Sequence, residues 1–246
     1  MDDIIKWLLR MRVVLFGATG MVGQGVLREC LRDGAVSQVI CVGRTPMGMR
    51  DAKVEELVTA DLFELDRIQD RLRGLDACFF CLGVSSSGMS EEDYRRLTHD
   101  LTLSVAGVLV RGNPGMTFVY VSGAGTDSSE RGRSPWARVK GATENALLRL
   151  PFKAAFMFRP GVIVPLDGIQ SKTPGYRAFY TVLGRLLAPL QRLFPRSMNT
   201  TRTIGLAMLA VARHGAKSPI LGPADIHAAA SLGAAPNPFD PLGETR

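Results

Sequence analysis

The chain is short of the residues that most often mark chemistry. It has four cysteines and three histidines in 246 residues, and no acidic residue between positions 168 and 224. Each shortage excludes something. Cys30, Cys41, Cys78 and Cys81 do not make a disulfide framework in a chain this long. Cys78 and Cys81 form a C-x-x-C on paper, but they lie in the apolar run Ala77-Cys78-Phe79-Phe80-Cys81-Leu82. Residues three apart on a strand point to opposite faces, which argues against a redox pair or a metal clip. His99, His214 and His227 show neither metal nor triad spacing. No apolar run reaches membrane-spanning length. The first ten residues have a short apolar core, with acids where a secretory signal carries bases, so a cytoplasmic location is expected. There is no internal repeat and no nucleic-acid-binding motif, so no nucleic-acid partner is expected.

What is present suits one large domain. Hydrophobic residues make up 46% and charged residues 22%, ordinary for a chain with a sizeable core. The net charge of +7 is uneven. Residues 1–167 carry 21 basic and 20 acidic residues, residues 168–224 carry eight basic and none acidic, and the rest one basic and three acidic.

Hydrophobic periodicity predicts strands over 12–16, 38–42, 54–58, 77–82, 116–121 and 152–158. Helices are expected over 21–32, 64–73, 91–111, 135–150 and 200–213. Strands alternating with helices give an α/β fold, a doubly wound parallel sheet of Rossmann type with a small helical C-terminal part. Residues 12–165 form the core and 166–230 a helical substrate or lid region completing the same domain. Residues 1–11 and 231–246 are expected to be flexible ends.

The most informative stretch is Val13-Val14-Leu15-Phe16-Gly17-Ala18-Thr19-Gly20-Met21-Val22-Gly23. A strand, a glycine turn and a helix follow one another. Such a turn lets the backbone approach a pyrophosphate, which sits at the helix N-terminus. Gly17, Thr19, Gly20, Met21, Val22 and Gly23 are therefore the expected phosphate-binding residues. Arg44 follows the second strand where an acid would hold a ribose 2′-hydroxyl, and an arginine there suits a 2′-phosphate. This favours NADP(H), with NAD(H) the alternative. Asp61, with Leu62 beside it, is placed either to accept from the adenine amino group or to cap the following helix.

These motifs, with Cys81-Leu82-Gly83, Val119-Tyr120-Val121-Ser122, Val139-Lys140-Gly141-Ala142-Thr143-Glu144 and Arg159-Pro160-Gly161, resemble the atypical, single-domain short-chain dehydrogenase/reductase family. The resemblance covers roughly residues 12–165 and implies an oxidoreductase acting on a small carbonyl or hydroxyl substrate. It implies that Ser122 orients the substrate and that Lys140 binds the nicotinamide ribose. It also places Leu82, Gly83, Val84, Pro160 and Val162 at the cofactor. The family's general acid is a tyrosine four residues before the lysine, and this chain has Trp136 there. An indole N–H donates a hydrogen bond but gives up no proton near neutral pH. Three readings stay open. Another acid serves (Tyr120, Tyr94, Tyr176 or Tyr180), or Trp136 stacks while water supplies the proton, or the chain binds cofactor without turnover as a regulatory or assembly protein. The basic amphipathic stretch 176–196 reads as a helix packed on the domain or on a second copy in a homodimer. The sharper alternative is a lid or peripheral membrane helix facing an anionic surface.

Overall fold

The computed structural model describes residues 10–169 and 198–233. Its centre is a parallel sheet in the order β3-β2-β1-β4-β5-β6-β9. The strands are β1 (Met11–Phe16), β2 (Val36–Gly43), β3 (Val54–Val58), β4 (Ala77–Phe80), β5 (Thr117–Val121), β6 (Ala154–Phe158) and β9 (Ile220–Leu221). A second, two-stranded parallel sheet pairs β7 (Val162–Val164) with β8 (Met198–Thr200). The order reverses between β1 and β4, and the strand ends there open the crevice in which such sheets bind ligands.

The central strands read as continuous apolar runs because both faces are covered. Val13 and Leu15 of β1 join Ala77 and Phe79 of β4 in one core. Val14 and Phe16 join Cys78 and Phe80 in the other. Cys78 and Cys81 thus serve opposite cores, as their spacing requires, and both thiols are free.

Helix α1 (Met21–Arg32) covers the first core together with α5 (Thr201–His214) and α6 (Pro223–Gly233). A Cβ on Gly25 would lie 2.6 Å from the Thr201 side chain, and one on Gly205 would lie 2.9 Å from Glu29. Glycine at both positions lets α1 and α5 touch backbone to backbone. The second core is covered by the 3-10 helix Leu62–Leu72, by α3 (Leu101–Gly112) and by Leu147 of α4 (Pro135–Leu148).

Four details differ from the expectations. The predicted helix over 64–73 is 3-10, with Glu64 outside helical geometry. The predicted helix over 91–111 is divided into α2 (Glu91–Arg95), a π-helical turn (Arg96–Asp100) and α3. Strands β7, β8 and β9 are two or three residues long, too short for a periodic signal. The Ala-rich α6 runs to Gly233, so residues 231–233 are helix rather than flexible end. The stretch 176–196, with Tyr176 and Tyr180, lies outside the described residues.

Candidate cofactor and active site

Gly17 has φ +82°, and a Cβ there would lie 2.8 Å from the Cys81 backbone. A Cβ on Gly23 would collide with the Gly17 carbonyl. Helix α1 starts at Gly20 with no side-chain cap and no acid in its first turn. Its first N–H groups have no side-chain cap. The turn therefore has the cradle an anionic group needs: close backbone, free donors and a positive helix end.

Beside it lies a cavity of about 470 Å³ between the ends of β1, β2 and β3. Gly17, Ala18, Thr19, Gly43, Arg44, Leu62 and Leu82 line it. It shares Ala18, Thr19, Thr45 and Met47 with a neighbouring cavity of about 690 Å³ along α1. Arg44 is exposed at its rim and forms no ion pair among the described residues. The two arginines of the larger cavity are engaged, Arg28 with Asp167 and Arg32 with Glu29.

An acid does line the smaller cavity, and the sequence reading missed it. Glu56 accepts from the backbone N–H of Met47 at 2.7 Å and of Met49 at 2.9 Å. Those hydrogen bonds hold its carboxyl below the usual range. Both oxygens are used to shape the loop after Arg44. Asp61 caps the 3-10 helix by accepting from Phe63 N at 2.8 Å, and Leu62 lines the cavity. Gly83 and Val84 are exposed just past β4.

On the same carboxyl edge of the sheet, past β4 at the end of β5, lie Ser122, Lys140 and Trp136. Lys140 Nζ donates to the Ser122 carbonyl. Burial lowers the Lys140 pKa to about 8, against an opposing pull from Glu144. The Ser122 hydroxyl is turned inward. It lies 2.5 Å from Glu144 Oε1 and 3.1 Å from the Phe158 carbonyl. Its neighbour, where the chain leaves the strand, is Gly123, which has no side chain to offer. Trp136 lies over Gly125, where a Cβ would be 3.2 Å from its ring. Pro160 is buried, and its carbonyl accepts from Ala124 N at 2.8 Å. Val162 opens β7 and is 42% exposed.

Tyr120 is buried in the second core, and burial raises its pKa far above the neutral range. Tyr94 is buried on α2. His99 pairs with Asp100 at 2.7 Å.

A model of the "NAD dependent epimerase/dehydratase family" matches residues 13–140. "Protein fmp52-2, mitochondrial" of Aspergillus terreus is 26% identical over 201 residues, covering 81% of this chain and 85% of its own length. "Protein HTATIP2" of Rattus norvegicus is 28% identical over 165 residues. That match spans 66% of this chain and 66%, just under two thirds, of the rat protein. Among solved structures, an oxidoreductase of the short chain dehydrogenase/reductase family from Burkholderia thailandensis has a TM-score of 0.63 at 16% identity, covering 89% of this chain and 93% of its own. A short chain dehydrogenase from Burkholderia cenocepacia in complex with NADP has a TM-score of 0.62 at 15% identity, covering 92% and 94%. At those identities the structures speak to the fold alone. The mitochondrial names of the fungal relatives overturn the cytoplasmic expectation. The composition of the first ten residues does not distinguish cytosol from organelle.

Proposed function

The chain belongs to the NAD dependent epimerase/dehydratase family, and from that premise we propose that it is an NADP(H)-dependent oxidoreductase acting on a small carbonyl or hydroxyl substrate. When bound, the nicotinamide supplies or accepts the hydride. The chain's own residues do the rest. The turn from Gly17 to Gly23 holds the pyrophosphate, Arg44 meets the 2′-phosphate, and Leu62 and Leu82 flank the adenine. The observation that carries the reading is Lys140. Its amine reaches from α4 to the Ser122 carbonyl at the end of β5, with a pKa brought down to about 8. A group that titrates there can clamp a ribose and can also give or take a proton in the place of the absent tyrosine.

One observation favours a second reading. With the Ser122 hydroxyl turned inward to Glu144 and Trp136 beside the site, no phenol or free hydroxyl among these residues presents a proton to a substrate. A cofactor-binding regulatory or assembly protein would need no more than this.

NADPH and NADH binding by titration calorimetry, with turnover over a carbonyl panel, separates the two. An oxidoreductase oxidises NADPH saturably, and Lys140→Met lowers the rate constant for hydride transfer as well as affinity. A regulatory protein binds tightly, does not turn over, and loses only affinity in that variant. The ammonium is the form that donates to a ribose hydroxyl, so NADPH affinity should fall as pH rises through about 8. Lys140→Met should abolish that step. Arg44→Asp should weaken NADPH by about 10- to 100-fold and leave NADH little changed. Equal weakening of both sinks the role given to Arg44.

A further inference from the structure

Between β5, α4 and β6 runs a buried polar chain that lines neither cavity. Glu144, on α4, is 0% exposed. Its carboxylate accepts from the Ser122 hydroxyl at 2.5 Å and from Arg159 Nε at 3.0 and 3.1 Å, with a further bond from Arg159 Nη2. Arg159 Nη2 also donates to Ser128 Oγ at 2.5 Å. On the other side, the Ser122 carbonyl accepts from Lys140. Ser122 is thus clasped twice, by its side chain to Glu144 and by its backbone to Lys140. The two clasping residues are one turn apart on the same helix.

A buried ion pair is expensive to desolvate, and an apolar pair of like volume is often as stable. Stability alone does not call for this arrangement in the layer between a helix and a sheet. We propose that Glu144, braced by Arg159, is a positioning residue that fixes the Ser122 end of β5 and with it the perch of the Lys140 amine. The proposal rests on the NADP(H)-binding reading above. Glu144 touches no substrate here and acts through Ser122 and Lys140.

The electrostatics agree with the geometry. Glu144 is the charge that acts on Lys140, and it favours the ammonium while burial opposes it. Arg159, just past the end of β6, faces Glu144. The buried phenol of Tyr120 on β5 interacts with both Glu144 and Tyr94. The Arg138–Glu91 pair, at 2.8 Å, ties α4 to α2 on the exposed side.

The test reads Lys140 directly in protein without cofactor. The chain has six lysines. In protein labelled with ¹³C at the lysine side chains, Lys140→Met identifies its resonance. In Glu144→Gln, the Lys140 midpoint should fall by about one unit, a tenfold change in the ratio of ammonium to amine. The step of NADPH affinity with pH should move by the same amount, and affinity at pH 7.5 should drop about threefold. A folded Glu144→Gln protein with an unmoved midpoint and an unmoved step overturns the proposal. If that variant does not fold, Glu144→Asp decides. It keeps the charge but is too short to reach both Ser122 and Arg159. Weaker NADPH binding with the Lys140 midpoint restored supports the brace, and wild-type affinity overturns it. Failure of the wild type to bind either nucleotide removes the function proposed above, while the Lys140 titration still tests the link to Glu144.

Discussion

The two ends of the proposed cofactor cleft are built from different material. Around Gly17, Gly20 and Gly23 the walls are backbone, and the binding groups are N–H donors that every residue carries. Around Ser122, Lys140 and Trp136 the walls are side chains, and the chemistry depends on which atom ends each of them. At Gly17 and Gly23 the first end has no room for a single added carbon. The second accepts an indole where a phenol is usual, yet changes its chemistry by doing so. A backbone site is thus sensitive to volume, and a side-chain site to functional group.

The comparison can be pressed hardest at Gly23. Gly23→Val forces a branched side chain into the Gly17 carbonyl and should destabilise the fold by about 3 kcal/mol or more. NADPH binding should fall below detection, and thermal unfolding with calorimetry checks both. A variant that melts and binds like the wild type would mean that volume does not govern this end. At the other end, Trp136→Tyr keeps an aromatic ring, gives up some volume and supplies the phenol. Single-turnover hydride transfer should rise by about 10²-fold. No gain at all would favour the regulatory reading. The smallest effect is expected where the two kinds of material meet, at Glu56, whose side chain holds backbone in place. Glu56→Gln should raise the NADPH Kd by about two- to fivefold. The folded-state pKa of Glu56 is depressed by the Met47 and Met49 amides. Its stabilisation is therefore present above the unfolded carboxylate pKa and lost as pH falls through the folded value. The variant should accordingly show a shallower loss of stability in acid, measured by denaturant unfolding across that range.

Much of the fold was legible because its signals are local. Apolar runs bounded by glycines predicted six parallel strands, and α1 occupies the predicted span of Met21–Arg32. The signals failed where an element is made by its neighbours. Two-residue β9 is a strand only because β6 lies beside it, and the π-helical turn of Arg96–Asp100 interrupts a stretch that reads as one helix. The candidate site divides along the same line. Gly17, Arg44 and Leu62 line one cavity, as their places at the strand ends implied. Glu56 reads as one polar residue of an edge strand, and nothing local says that its carboxylate turns to the next loop. Glu144 stands four residues after Lys140, a spacing that hints at a pair on one helix face. Its actual partners, Ser122 and Arg159, are 22 and 15 residues away.

The sequence by itself determined the succession of six strands and their helices along the chain, the glycine turn and the presence of tryptophan at the family's tyrosine position. These follow from steric limits and from residue identity, which need no neighbour to act. Only the tertiary structure decided which way the Ser122 hydroxyl points, how far burial lowers the Lys140 pKa, and that a buried carboxylate holds the two in place. Each of these depends on what surrounds a group once water has been excluded. Desolvation and hydrogen-bond geometry belong to the packed chain and have no counterpart in the order of its residues.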